Sequence, residues 1–106
     1  MRKFVLLLTI LLATTIVFAQ KSKVTSAISY KDANDLTKAK TLIEETIDST
    51  NEKSASTITW PRTWEARGEI YEAIHKAGKD LENKPLFTAY DSYKKAVELD
   101  EKGRLS

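Results

Sequence analysis

Two stretches of the chain repeat one spacing, bulky aromatics at helical intervals with small residues among them. The clearer reads Trp64-x-x-Arg67-Gly68-x-x-Tyr71 and resumes, after a polar interval, as Ala89-x-x-x-Tyr93-x-x-Ala96. Residues three, four and seven apart share one face of an α-helix. Two helices packed at about 8–10 Å need small residues where their backbones come closest. Gly68 and Ala89 are placed for that contact, with Trp64 and Tyr71 on either side of Gly68. A mid-helix glycine costs about 0.5–1 kcal/mol relative to alanine, so close approach is the expected compensation. The pattern predicts an all-α fold of tandem antiparallel helical hairpins. Such units bind by surface shape, without chemistry of their own.

The N-terminus carries a different signal. Arg2 and Lys3 precede an apolar run from Phe4 to Phe18, and Val17-Phe18-Ala19 supplies the small residues of a cleavage site. This predicts a signal peptide over residues 1–19, with Gln20 as the mature N-terminus and 20–106 as the helical domain. The rival is an uncleaved membrane anchor, but a spanning helix needs about 20 apolar residues and this run is shorter. The formal net charge of +2 is then carried by Arg2 and Lys3, which leaves a balanced surface. A balanced surface offers no field for nucleic acid or anionic lipid. With no cysteine, disulfides, thiolate catalysis and a lipid-modified N-terminal cysteine are excluded.

Three glycines, two prolines and no strand-like alternation leave helical periodicity dominant. Helices are expected at about 22–33, 36–49, 61–77 and 86–99. Asn34 suits a left-handed helix stop and Asp35 an N-cap for the next helix. Leu36, Ala39, Leu42, Ile43 and Ile47 form the inner stripe of the second helix, with Lys40 and Glu44 paired outside. Asn51 to Thr57 and Lys79 to Pro85 read as polar loops. Pro61 suits a first helical turn. Trp64, Gly68, Tyr71 and Ile74 make the stripe of the third helix. Leu86, Ala89, Tyr93, Ala96 and Val97 face inward from the fourth, Asp91 and Lys95 pair outside, and Gly103 marks its stop.

These residues resemble the tetratricopeptide repeat. Trp64, Gly68, Tyr71, Ala89, Tyr93 and Ala96 match its pattern, Arg67 stands where leucine is usual, and the inter-helix loop runs longer than the family spacing. A weaker upstream copy places Ala27, Tyr30, Ala39 and Ile43 at corresponding positions, while Lys23 and Thr46 replace the usual aromatic and alanine. The segments 64–71 and 89–100 look like repeats of exported Bacteroidetes-type proteins. The resemblance implies two repeats of a right-handed α-solenoid. It also implies a periplasmic or secreted protein of a Gram-negative bacterium that binds or scaffolds a protein or peptide partner. Solenoids expose an inner groove lined by first-helix positions, here Val24, Ile28, Lys31, Glu65, Glu69 and Glu72. A partly acidic groove selects a basic or polar peptide; the plainer reading is a solvated face with Glu72 and Lys76 paired.

Other constellations carry less. Glu72-x-x-His75 has the spacing of a di-metal carboxylate bundle, but a single histidine cannot complete one. Trp60 and Trp64 read as a staple and a core residue before they read as a ligand clamp. No serine elbow, phosphate loop or nucleophile–base pair is present. The expectation is no enzyme, no cofactor, no metal and no nucleic-acid partner, with membrane contact only during export. Repeat arrays need about three units to cover their apolar faces. Phe87, Tyr90 and Val97 should therefore lie uncovered. The alternative to a binding module is thus a self-assembling homo-oligomer, or the N-terminal part of a longer array.

Overall fold

No glycine or proline falls between Arg2 and Asp32, so nothing in the backbone interrupts a helix there. In the computed structural model this whole segment is one 31-residue helix, α1 (Arg2–Asp32). The helix therefore begins well before the expected start near Ser22, which followed from setting residues 1–19 aside. The structure describes residues 2–78, 81 and 83–105, with side chains described for 17–78, 81 and 83–102. Met1, most side chains of the expected signal peptide, and Lys79, Asp80 and Glu82 of the second loop lie outside that set.

Five α-helices and one 3-10 turn make up the described residues, with no strand among them. The turn after α1 follows from two side chains. Asn34 takes the left-handed conformation (φ 63°), and the Asp35 carboxylate accepts from the Lys38 N–H at 3.3 Å. That capped start opens α2 (Leu36–Glu45), which buries Leu36, Ala39 and Ile43.

α2 ends at Glu45, a turn short of the expected Ser49. Hydroxyls take over the backbone at that point. Thr46 Oγ1 donates to the Ile43 carbonyl at 2.6 Å, and Asp48 accepts both the amide and hydroxyl of Thr50. Threonine and aspartate offer the chain local partners that compete with the helical ladder. The expected polar loop 51–57 is structured. Asn51 caps a 3-10 turn (Glu52–Ser54), which runs into the single turn α3 (Ala55–Ile58). Buried Ser54 and Thr57 donate back to the Glu45 and Thr46 carbonyls at 2.8 and 2.7 Å. These bonds satisfy carbonyls that α2 leaves unpaired at its end.

α4 (Pro61–Ala77) starts at the expected type of proline and closes on Gly78, left-handed at φ 65°. Its amide returns to the His75 and Ile74 carbonyls. α5 (Pro85–Leu105) continues through Gly103 rather than stopping there. A lone glycine lowers helix propensity by about 1 kcal/mol without breaking the ladder.

α4 is the centre of the fold. It packs on α1 and α2 along one side and on α5 along the other. The core joins Val24, Ala27, Leu36, Ala39 and Ile43 to Ala66, Ile70, Tyr71 and Ile74, with Ala89 from α5. Because α4 is covered on two sides, it buries Thr63, Ala66 and Ile70, which the single stripe through Trp64 missed. Trp64 is only half-buried. Its indole N–H donates to the Ile58 carbonyl at 2.8 Å, so an amphipathic ring closes the α3–α4 junction at the surface. Trp60, the residue capping α4, packs against the core instead.

At Gly68 the close approach is made by a side chain. A Cβ there would lie 2.6–2.8 Å from three ring atoms of Tyr93, so glycine admits the flat face of an aromatic ring onto the α4 backbone. Ala89 is buried as part of the core. Ala27 and Ala39 are both fully buried between α1 and α2.

Candidate functional site

The expected groove residues divide among three places. Val24, at 1 % exposure, belongs to the core, and Ile28 packs half-buried against it. Lys31, Glu69 and Glu72 do come together. With Asp32, Ala73 and Lys76 they line a cleft of about 450 Å³ between α1 and α4. Glu65 turns to the other flank of α4 and lines a separate cleft of about 290 Å³ with Tyr93, Ala96 and Val97. Residues four apart on a helix drift around its axis, and here that drift carries the acidic stripe from one cleft to the next.

Charge in the α1–α4 cleft is matched locally. Lys31 Nζ lies 3.3 Å from Asp32 and 3.8 Å from Glu69. Arg62 approaches Glu65 at 2.7 Å and Glu69 at 3.7 Å. Glu72 accepts from the Tyr93 hydroxyl at 2.6 Å, which takes it away from the Lys76 pairing expected along its own helix. Burial raises the Tyr93 phenol well above its usual range, and the Glu72 hydrogen bond with the charges of Glu72, Glu69 and Glu65 adds to the rise. The Arg62–Glu65 pair is exposed and contributes little stability, about 0–1 kcal/mol, while Lys31 and Glu69 are partly buried.

A tighter polar cluster joins three helices. Arg67 Nε donates to Glu44 at 2.8 Å, and its Nη1 donates to Ser92 Oγ at 3.1 Å. Tyr71 donates to the same Glu44 oxygen at 2.6 Å, and the Ser92 hydroxyl donates to the Thr88 carbonyl at 2.7 Å. The guanidinium also stacks over Tyr71 and Trp64, 5.1 and 5.7 Å from the ring centres. Glu44 is thereby drawn from the surface pair expected with Lys40. Lys40 donates instead to the Leu81 carbonyl, tying the α4–α5 connection to α2. Arg67, the departure from the leucine pattern, is the residue that connects α2, α4 and α5. In the sequence Arg67 stands out only as that departure, and the partners Glu44 and Ser92 give no signal.

The remaining positions are structural or superficial. Tyr30 lies at the surface with Lys38 Nζ 5.4 Å from its ring centre. Ile43 and Ala89 are core, while Tyr93 and Ala96 are half-buried. His75 is exposed, and among the described residues no group of three or more His, Asp or Glu side chains could hold a metal ion. No helix among the described residues is long and apolar enough to cross a membrane. No family model, curated protein or solved structure matches the chain.

Proposed function

We propose that the chain is an exported protein-binding or scaffolding module of two tetratricopeptide-like hairpins, with no catalysis of its own. It takes a polar or basic peptide in the α1–α4 cleft. One observation carries this reading: α1 with α2 and α4 with α5 are consecutive packed helix pairs, and the α4 of the second lies on both helices of the first. A short connection makes the first pair a hairpin, the second pair is joined by the longer segment 78–84, and packing of one pair on the next is what a repeat array requires. The cleft at that junction offers Glu69 and Glu72 to a cationic side chain, and Lys31 and Lys76 to backbone or side-chain oxygen.

Export is proposed on the N-terminal pattern, with cleavage after Ala19. Burial along α1 supports the site. Val17, Phe18 and Ala19 are exposed, and from Gln20 the helix turns a packed face inward.

A displayed library of short basic, polar and acidic peptides tests the binding role. Enrichment of basic or polar sequences by the native chain, lost in Glu69→Lys at unchanged thermal stability, is the expected result. Enrichment that survives both Glu69→Lys and Lys31→Glu removes the cleft from the proposal.

A second reading, assembly with further copies, is favoured by the outer side of α5. Leu86, Phe87, Tyr90 and Val97 stand 47, 69, 66 and 56 % exposed. Large apolar side chains exposed along one helix are candidates for contact with another protein surface. Sedimentation separates the two readings: Phe87→Glu with Tyr90→Glu should dissociate an assembling chain and leave a peptide-binding monomer unchanged.

A further inference from the structure

Among the described residues the side chains of Gln20, Ser56 and Thr63 hold buried polar atoms without a hydrogen-bond partner, and Gln20 is the one in which two such atoms belong to a single amide. It is 2 % exposed, and neither its amide nitrogen nor its amide oxygen has a hydrogen-bond partner. It shares the inward face of α1 with Val24 and Ala27, four and seven residues on, so the helix itself directs it into the packed side. A buried amide without partners is unfavourable, because each lost water contact is left uncompensated.

Cleavage after Ala19 adds a second conflict at the same residue. The new α-ammonium would sit on the first residue of a helix, at the positive end of its dipole, where cations are disfavoured. No acidic side chain follows within the first turn; the sequence reads Gln20-Lys21-Ser22-Lys23. Lys21 Nζ is held over the Trp60 ring, 5.0 Å from its centre, and Lys23 Nζ lies 3.4 Å from Glu45. A third positive charge would therefore share one turn with two cations already placed.

We infer that Gln20 is a modification site, closing on itself as an N-terminal pyroglutamyl lactam once residues 1–19 are removed. This rests on the proposed cleavage after Ala19. The unprotonated α-amino nitrogen attacks the side-chain amide carbon Cδ. The N–Cδ bond forms, the Cδ–Nε2 bond breaks, an amine proton passes to the departing nitrogen, and one ammonia leaves. No oxidant, reductant or second substrate is needed. The product carries no charge at the positive end of α1 and has lost the unpaired amide NH₂. A neutral N-terminus without a primary amine is also closed to aminopeptidases, which suits a module that acts outside the cytoplasm.

The full-length chain is expressed with export, recovered from the exported fraction, and amine-labelled before digestion and mass measurement. The expected N-terminal peptide begins at Gln20, lacks the mass of one ammonia and carries no label on its α-nitrogen. A peptide beginning at Gln20 with full mass and a labelled α-amine, unchanged after days at neutral pH, overturns the lactam and leaves the cleavage intact. A chain that retains residues 1–19 or begins elsewhere overturns the cleavage and the lactam with it. Gln20→Asn supplies the control, since asparagine keeps the amide but cannot close a five-membered ring. Its α-amine should label fully, its N-terminus should yield to aminopeptidase, and its melting temperature should fall below that of the native chain. A Gln20→Asn chain blocked like the native one overturns the proposal, because the block would then have another origin.

Discussion

Replacing Gly68 by alanine adds one methyl group at the place where the Tyr93 ring lies on the α4 backbone. Two effects of opposite sign follow, and the structure decides between them. Helix propensity favours alanine by about 0.5–1 kcal/mol. Against that, the new Cβ would stand 2.6 Å from Tyr93 Cε1 and 2.8 Å from Cδ1 and Cζ. Carbon atoms rest at about 3.5–4.0 Å, so the ring has to retreat by roughly 1 Å. It is not free to do so. Its hydroxyl is bonded to Glu72 at 2.6 Å, and its edge lies half-buried between the two helices. Overpacking costs about 1–3 kcal/mol, and loosening the phenol–carboxylate bond adds to it. The net expectation is destabilisation by about 1–2 kcal/mol, roughly 5–15 °C in melting temperature for a domain of this size. Far-UV circular dichroism under heating and urea measures it. The same substitution in a Tyr93→Ala background should be neutral or stabilising, because only the propensity effect remains. A Gly68→Ala chain as stable as the native one, with Tyr93 intact, refutes the reasoning.

Arg67→Leu, which restores the residue usual in the resembled repeat, should destabilise by about 1–2 kcal/mol in urea titration. It removes a charge-assisted bond to Glu44 and a bond to Ser92, with the value held low because Glu44 is partly exposed. Arg67→Lys should recover little of this, since an ammonium lacks the planar fork that reaches both partners. Thr57→Val leaves the buried Thr46 carbonyl without its hydroxyl donor and should cost about 1–3 kcal/mol. Tyr93→Phe should flatten the alkaline limb of the stability–pH curve. The folded phenol titrates above its ordinary value of about 10. The unfolded chain therefore releases its proton first, and stability present below pH 10 declines as pH rises beyond it. Equal slopes for native and Tyr93→Phe chains above pH 10 would sink that account.

The helical character of the chain is legible because its signals are local. Scarce glycine and proline, apolar residues at spacings of three and four, Asn34 with Asp35, and Gly78 after Ala77 each act within a few residues of where they stand. What escapes such a reading depends on partners far along the chain. α2 stops at Glu45 because Ser54 and Thr57 donate hydroxyls to the Glu45 and Thr46 carbonyls, nine and eleven residues back along the chain. The string 51–57 looks like loop by composition, yet two of its hydroxyls are fully buried for that purpose. The core of α4 is half legible for a similar reason. A helix covered on one side shows one stripe, and α4 is covered on two, so Ala66 and Ile70 fall outside the stripe drawn through its aromatics.

The candidate site divides along the same line. Glu69, Glu72 and Lys31 can be grouped from helical spacing and a repeat offset, and they share a cleft. Val24 follows from the same alignment but sits in the core, because an offset fixes a position along a helix and not its rotation toward the neighbour. Glu44, Arg67 and Ser92 could not be grouped at all, being 23 and 25 residues apart. Yet they constrain the cleft. Arg67 fixes α4 against α2 through Glu44 and against α5 through Ser92, and Tyr93 from α5 then holds Glu72 at the cleft wall. The rotation of α4, and with it which carboxylates face α1, is set by polar contacts on its opposite side. Arg67→Leu should therefore weaken peptide capture as well as stability, although Arg67 does not line the cleft. If capture stays at native strength in that variant at a temperature where it is fully folded, the cleft is set by apolar packing alone.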